Sequence, residues 1–225
     1  MHSVDRIDKW KNEPPDMDAL NLEFLFDPDP NSLYGIPMLK PCNTIPSGLV
    51  QFGIGKKILD DIKPEDRVAM HFFLDDYRFE RVWKNPLKYS AYPLKSGIAL
   101  TPDFSIWSDM PLALQIYNTY RNRLIGALWQ AMGIDVIPTI SWTHPFNDLC
   151  LDGVPKHSTI AISLVGVSDK DHKYFMHGLN KICEKLEPQN IVCYGSIHKN
   201  RMIFGLKPKI YEFPTRWDII EANRR

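Results

Sequence analysis

The chain lacks any excess of charge: 27 Lys and Arg balance 27 Asp and Glu over 225 residues. No bulk positive field therefore draws it to nucleic acid, although neutrality is compatible with a local basic groove. It has no apolar run near the ~20 residues needed to span a bilayer. Its polar, acidic N-terminus lacks the basic-then-apolar order of a signal peptide. The four cysteines, Cys42, Cys150, Cys183 and Cys193, make no Cys-x-x-Cys pair. Cys183 and Cys193 sit in apolar helix and strand patterns as small core residues, and a reducing, cytoplasmic compartment is expected. The seven histidines show no His-x-x-x-His or His–Cys spacing, which argues against zinc. There is no Gly-x-Ser-x-Gly elbow and no Gly-x-Gly-x-x-Gly fingerprint, which disfavours serine hydrolases and dinucleotide enzymes. Internal repeats and low-complexity segments are also absent.

What the chain does have is a series of apolar runs that each stop on polar residues. Val68–Leu74 stops on Asp75-Asp76, Gly97–Leu100 on Thr101-Pro102-Asp103, and Asp135–Ile140 on Ser141-Trp142. Thr159–Val165 stops on Gly166, and Ile191–Cys193 on Tyr194-Gly195-Ser196. Between them lie helical patterns. Tyr77–Trp83 reads as a short helix closed by Asn85-Pro86. A long helix is expected from Pro111 to about Met132, with Leu112, Ile116, Tyr120, Leu124, Leu128 and Ala131 as its buried stripe and Gly133 at its end. A third helix opens on Ser168-x-x-Asp171 and buries Phe175, Leu179, Ile182 and Leu186.

Alternating strands and helices imply crossovers and a parallel sheet. The predicted fold is α/β: a mainly parallel sheet with alternating helices, either open or an incomplete (β/α) barrel. Leu49–Phe52 and Met202–Leu206 would raise the strand count from five to seven. Residues 1–47, broken by Pro14-Pro15, Pro28, Pro30, Pro37, Pro41 and Pro46, form an irregular N-terminal arm packed on the domain. Residues 48–225 form a single α/β domain.

Parallel strands place ligand sites at their carboxyl ends. The candidate catalytic residues are therefore Asp75, Asp76 and Asp103. Carboxylates there can hold a divalent cation or act as bases, whereas the structural alternatives are a helix cap and an Asx turn. Asn118, Arg121 and Arg123 form a polar knot in the long helix that either grips a phosphate or carboxylate or pairs with an aspartate. Trp142 offers a stacking wall and Tyr194 a further ligand contact. His144 is a lone acid or base before Pro145, and His71 reads as a core or supporting group. Gly48-x-x-x-x-Gly53-x-Gly55-Lys56-Lys57 is a poor phosphate loop without the Gly-Lys-Ser/Thr ending. Residues 199–225 are the one mildly basic stretch.

Several segments taken together resemble a known family. They are His71-Phe-Phe-Leu-Asp-Asp-Tyr-Arg-Phe-Glu-Arg-Val-Trp83, Pro102-Asp-Phe-Ser105, Asn118-x-Tyr-Arg-x-Arg123, Gly133-x-x-Val-Ile-Pro-Thr-x-x-Trp142 and Tyr194-Gly195. In that order, over roughly residues 45 to 200, they resemble the bacterial and phage family known as domain of unknown function 4417. Ser163-Leu164-Val165-Gly166 departs slightly from the Ser-Thr-Val-Gly run expected there. The resemblance implies a protein of phages, prophages or other mobile elements, in the cytoplasm of a bacterial host, and supplies no reaction. Two readings follow. In one, the strand-end pocket binds a small phosphorylated or nucleotide-like ligand, with any chemistry hydrolytic and a divalent cation as the candidate cofactor. In the other, the protein is a non-catalytic interaction factor for host takeover or counter-defence, whose partner is a host protein.

Overall fold

A computed structural model describes residues 18–24, 26–54, 60–196 and 206–218. Among these residues seven strands are formed: β1 (Gly48–Gln51), β2 (Val68–His71), β3 (Ile98–Leu100), β4 (Asp135–Ile137), β5 (Thr159–Ser163), β6 (Asn190–Tyr194) and β7 (Lys209–Phe213). Every pairing is parallel. The first four strands form one sheet in sequential order and the last three a second. A single bridge, Thr139 to Ala161, links the two, with Ile140 N–H donating to Ala161 O and Ala161 N–H to Pro138 O at 2.9 Å each. The strands thus run in the order β1 to β7, and no pairing of β7 with β1 closes them among the described residues.

The core explains why this succession curls. Side chains alternate across a strand. One set, Ala69, Ile98, Leu100, Ile137, Ala161 and Val192, meets Leu49 of β1 and Phe213 of β7 in one interior cluster. The intervening residues face outward: Met70, Ala99 and Val136 pack with Trp129 and Leu124, while Ile160, Ile162 and Cys193 pack under Leu179 and Ile182. This is an incompletely closed (β/α) barrel. The seventh strand is Lys209–Phe213, and residues 202–205 of the expected strand lie outside the described residues. So do Gly55, Lys56 and Lys57 of the glycine-rich segment and much of the basic stretch.

Helices occupy the crossovers among the described residues. α1 (Glu80–Lys84), α2 (Pro86–Tyr89) and α3 (Ala91–Ser96) replace the one short helix expected between β2 and β3. Asn85 starts α2 rather than only ending α1, its side chain accepting from Lys88 N–H. α4 (Leu112–Ala131) has the expected length, and Gly133 ends it at φ +82°. Its stripe is different: the first turn is exposed at Leu112 and Leu114, whereas residues 121–129 are buried on all sides. α5 (His172–Leu186) buries Leu179, Ile182 and Leu186 as expected. Ser168 Oγ, however, donates to the Asp171 carboxylate at 2.5 Å instead of accepting a backbone N–H.

Beside the domain, Leu39 N–H donates to Gly153 O, Cys42 N–H to Ser158 Oγ, and Asn21 Nδ2 to Trp83 O. All four cysteines are free, and Cys42, Cys150 and Cys193 are buried. Among the described residues, no helix is long and apolar enough to cross a membrane.

Candidate functional site

A cleft of about 1050 Å³ opens at the carboxyl ends of the strands. Its wall takes residues from the end of nearly every strand: Gln51 at the end of β1, Asp75 and Arg78 after β2, Asp103 after β3, Ser141 and Trp142 after β4. Val165 and Gly166 follow β5, Tyr194 ends β6, and Arg216 and Trp217 follow β7. Parallel strands of one barrel end on one side, so residues far apart in the chain share a single concavity.

Asp103 lies at its base. β3 and β4 pair in register Leu100 to Ile137, which keeps the segments just beyond them adjacent. Ser141 Oγ there donates to Asp103 Oδ1 at 2.7 Å. Burial pushes the Asp103 carboxyl up to about 6; the Ser141 bond opposes this, the nearby Asp76 charge adds to it, and the Arg123 guanidinium opposes it again. A half-buried carboxyl with a pKa near neutrality is suited to taking and returning a proton.

The two aspartates after β2 part company. Asp76 turns from the cleft and accepts from Ser105 N–H at 3.1 Å and Ser105 Oγ at 2.7 Å, tying the β2 end to the loop after β3. Asp75 stands at the N-cap position of the turn Asp76–Arg78 without a side-chain cap bond, is exposed, and faces the cleft. The expectation that one of the pair caps the following helix by its side chain is therefore not met. Among the described residues, no group of three or more His, Cys, Asp and Glu is arranged to hold a metal ion.

The polar knot of α4 is structural. Arg121 pairs with Glu80 at 2.8 Å, donates to Asn118 Oδ1 at 2.6 Å, and lies 3.9 Å from the Phe104 ring centroid. Asn118 Nδ2 donates to Ser105 O at 2.6 Å, fixing the loop that Asp76 also holds. Arg123 is wholly buried and gives its N–H groups to Asp152 O, Cys150 O, Thr139 O and Asn122 Oδ1. Asn118, Arg121 and Arg123 do not line the cleft: the hydrogen bonds described for them go to partners within the protein, and Arg121 Nε is buried without a partner among the described residues.

Trp142 and Tyr194 do face the cleft. Trp142 packs on Phe175 of α5, ring centroids 4.7 Å apart, and its indole lies over Gly178. A Cβ at Gly178 would collide with that ring. Gly178→Ala is accordingly expected to cost about 1–2 kcal/mol and to shift the Trp142 emission, as checked by denaturant unfolding and fluorescence. Tyr194 stacks on Phe73 at 5.2 Å, and its hydroxyl accepts from Arg216 N–H at 3.2 Å. His144 stacks on Tyr174 at 4.0 Å on the same side as Trp142.

Sequence reasoning missed the cations that do line the cleft, Arg78 and Arg216. Among the described residues neither joins an ion pair. Arg78 was readable as part of the polar stop after β2. Arg216 and Trp217 follow β7 and share its signal, a short run ending on Pro214-Thr215-Arg216, which lies beyond the strand expected at Met202–Leu206.

The family comparisons agree with the motifs. A family model described as Domain of unknown function (DUF4417) matches residues 29–214, and the chain belongs to that family. It is 40% identical over 222 residues to the Gene 1 protein of Mycobacterium phage L5, covering 97% of this chain and 94% of that one. It is 38% identical over 213 residues to the Gene 1 protein of Mycobacterium phage D29, covering 93% and 76%. No solved structure matches significantly. The expected phage association is shown by these relatives.

Proposed function

We propose that the strand-end cleft binds a small phosphorylated, nucleotide-like ligand. The observation that carries this reading is the presence, in one concavity, of two guanidinium groups that join no ion pair among the described residues, beside a fixed indole. Arginine outside an ion pair presents its forked donors to a phosphate, and Trp142 offers a flat face to a base. Any chemistry is hydrolytic, with Asp103 removing a proton from water. Its pKa near 6 would then appear as the acidic limb of the pH–rate profile, with the rate falling as pH drops below that value.

The test is equilibrium dialysis of the full chain against a panel of nucleosides and their phosphates. Arg216→Gln and Trp142→Ala should each weaken binding at least about tenfold, the loss of roughly one charge-assisted or stacking contact. Unchanged isotherms in both variants would sink the reading. The exposed side chains at the mouth, Trp107 (61%), Trp217 (72%) and Val165 (54%), favour a second reading, a host protein docking over the cleft. It predicts no response to any member of the panel.

A further inference from the structure

Resting on the ligand reading above, we infer that Ser141 is the nucleophile of the cleft: its hydroxyl attacks the phosphorus of the bound phosphoester with Asp103 as the base, and the phosphoryl group passes through Ser141 on its way to water. The inference begins beneath the cleft. Thr101 and Thr139 are buried beside each other just beyond β3 and β4. Thr139 N–H donates to Thr101 Oγ1 at 2.8 Å, and the Thr139 hydroxyl donates to Thr101 O at 3.0 Å. Asn122 Nδ2 reaches both segments, at Pro102 O and Thr139 O. Asp103 and Ser141 stand two residues further along, so this clamp sets how their side chains approach. The outcome is the 2.7 Å hydrogen bond between two half-buried groups that both line the cleft. A reactive pair supported by bonded strand ends is held to its geometry before any ligand arrives.

That hydrogen bond has a direction. Ser141 Oγ is the donor, so its proton already points at the group that takes it, and its lone pairs are left for an electrophile. An ordinary carboxylate is a weak base towards a hydroxyl. Burial lifts the Asp103 carboxyl to about 6, close to the imidazole that commonly serves a nucleophilic serine. The other serines of the cleft are engaged differently. Ser105 gives both its hydroxyl and its N–H to Asp76, a brace between loops. Ser108 Oγ accepts from His144 N–H, and Ser163 Oγ from Val165 N–H. Trp142, the stacking face, is the residue next to Ser141, so a base held on the indole is held beside the nucleophile.

The chemistry takes two steps. In the first, the bond from Ser141 Oγ to phosphorus forms and the bond from phosphorus to the alcohol oxygen breaks. The serine proton moves to Asp103 and from there to the departing alkoxide. In the second, a water oxygen bonds to phosphorus and the Oγ–phosphorus bond breaks, while Asp103 takes the water proton and returns it to Ser141 Oγ. The sum is hydrolysis, and the water that Asp103 deprotonates is the one in this second step.

A fluorophosphonate tests the assignment, because Ser141 Oγ bonds to its phosphorus, fluoride leaves and the proton passes to Asp103. The full chain is labelled and its peptides mapped by mass spectrometry, and binding of AMP, GMP, CMP and UMP is measured alongside by dialysis. The label is expected on Ser141 and not on Ser105, at a rate that rises with pH through about 6 and is level above it. Asp103→Asn should slow labelling at least about a hundredfold. Ser141→Ala should take no label at that position while keeping monophosphate affinity within about twofold, which also shows that it folds. Nucleotide binding without a label on Ser141, or labelling at the same rate in Asp103→Asn, overturns the nucleophile and leaves the ligand reading standing. A label on Ser141 that depends on Asp103, with no affinity for any of the four nucleotides, keeps the nucleophile and sinks the ligand reading. Neither label nor binding overturns both.

Discussion

Replacing Arg123 by methionine should destabilise the protein by about 4 kcal/mol, the largest effect expected of any single change to the polar residues of α4. Arg123 is buried to 2% exposure and lies between α4, the end of β4 and the loop before β5. Its guanidinium holds Thr139 O, Cys150 O and Asp152 O, and it also donates to Asn122 Oδ1. Methionine fills most of the volume but leaves Cys150 O and Asp152 O without the donors they have now, and Thr139 O with the Asn122 amide alone; each stranded buried acceptor costs about 1–3 kcal/mol. Burial lowers the Arg123 pKa to about 10, so the group still carries its charge at neutral pH. Arg123→Lys separates charge from geometry: it keeps the cation but reaches fewer of the oxygens, and should recover less than half of the loss. Urea unfolding of the three proteins checks this. Equal stability of the methionine variant and the parent would show that the carbonyls find other donors.

Asp103→Asn should stabilise the protein by roughly 3 kcal/mol above pH 7 while disabling the cleft. The carboxyl titrates at about 6 when folded against 3.8 otherwise. The folded state therefore binds the extra proton between those values, and stability falls as pH rises through them. A shift of that size corresponds to about 3 kcal/mol of stability absent at neutral pH. Asparagine removes the charge and keeps an oxygen for Ser141 Oγ–H. His71 works in the opposite sense. Burial inside the barrel, against Phe73 and Tyr194, lowers its pKa from 6.5 to about 4. The unfolded chain takes up that proton first, so this contribution is complete above pH 6.5 and is lost as pH falls towards 4.

The two slopes nearly cancel between pH 4 and 6. Asp103→Asn should unmask a fall in stability of about 3 kcal/mol on acidification across that window, and His71→Phe a gain of similar size. Thermal melts at half-unit pH steps measure both. A single variant with a pH profile parallel to the parent's would remove the assigned group from the account.

Asp103 also shows how a site can cost stability. Its burial opposes ionisation, yet it borders the cleft, where a carboxyl near neutrality is chemically useful. Asp76 shows the reverse arrangement. Its oxygens are committed to Ser105, which makes it a brace between two strand-end loops.

Strand periodicity and polar stops were sufficient to predict parallel strands, alternating helices and a rim at the carboxyl ends. Asp75, Asp103, Trp142 and Tyr194 were readable as rim residues for that reason: each sits just beyond, or at the last position of, an apolar run. The conspicuous polar knot of α4 misled. Asn118, Arg121 and Arg123 have the residue types of an anion site, but residue type does not reveal which partners a folded helix will meet. Glu80 and the carbonyls of residues 139, 150 and 152 are 16 to 41 positions away along the chain.

The sequence by itself determined the period of each element and the place where each strand ends, because alternation and chain breakers act over a few residues. Only the tertiary structure decided what those ends do together. It curled seven strands around one interior cluster, spent Arg121 and Arg123 on internal partners, and turned Asp76 outward to Ser105. It left Arg78, Arg216 and Asp75 facing the cleft, in no ion pair among the described residues. The physical reason is that a charged group's role depends on which neutralising partner lies within a few ångströms, and that neighbour is chosen by the packing of distant segments.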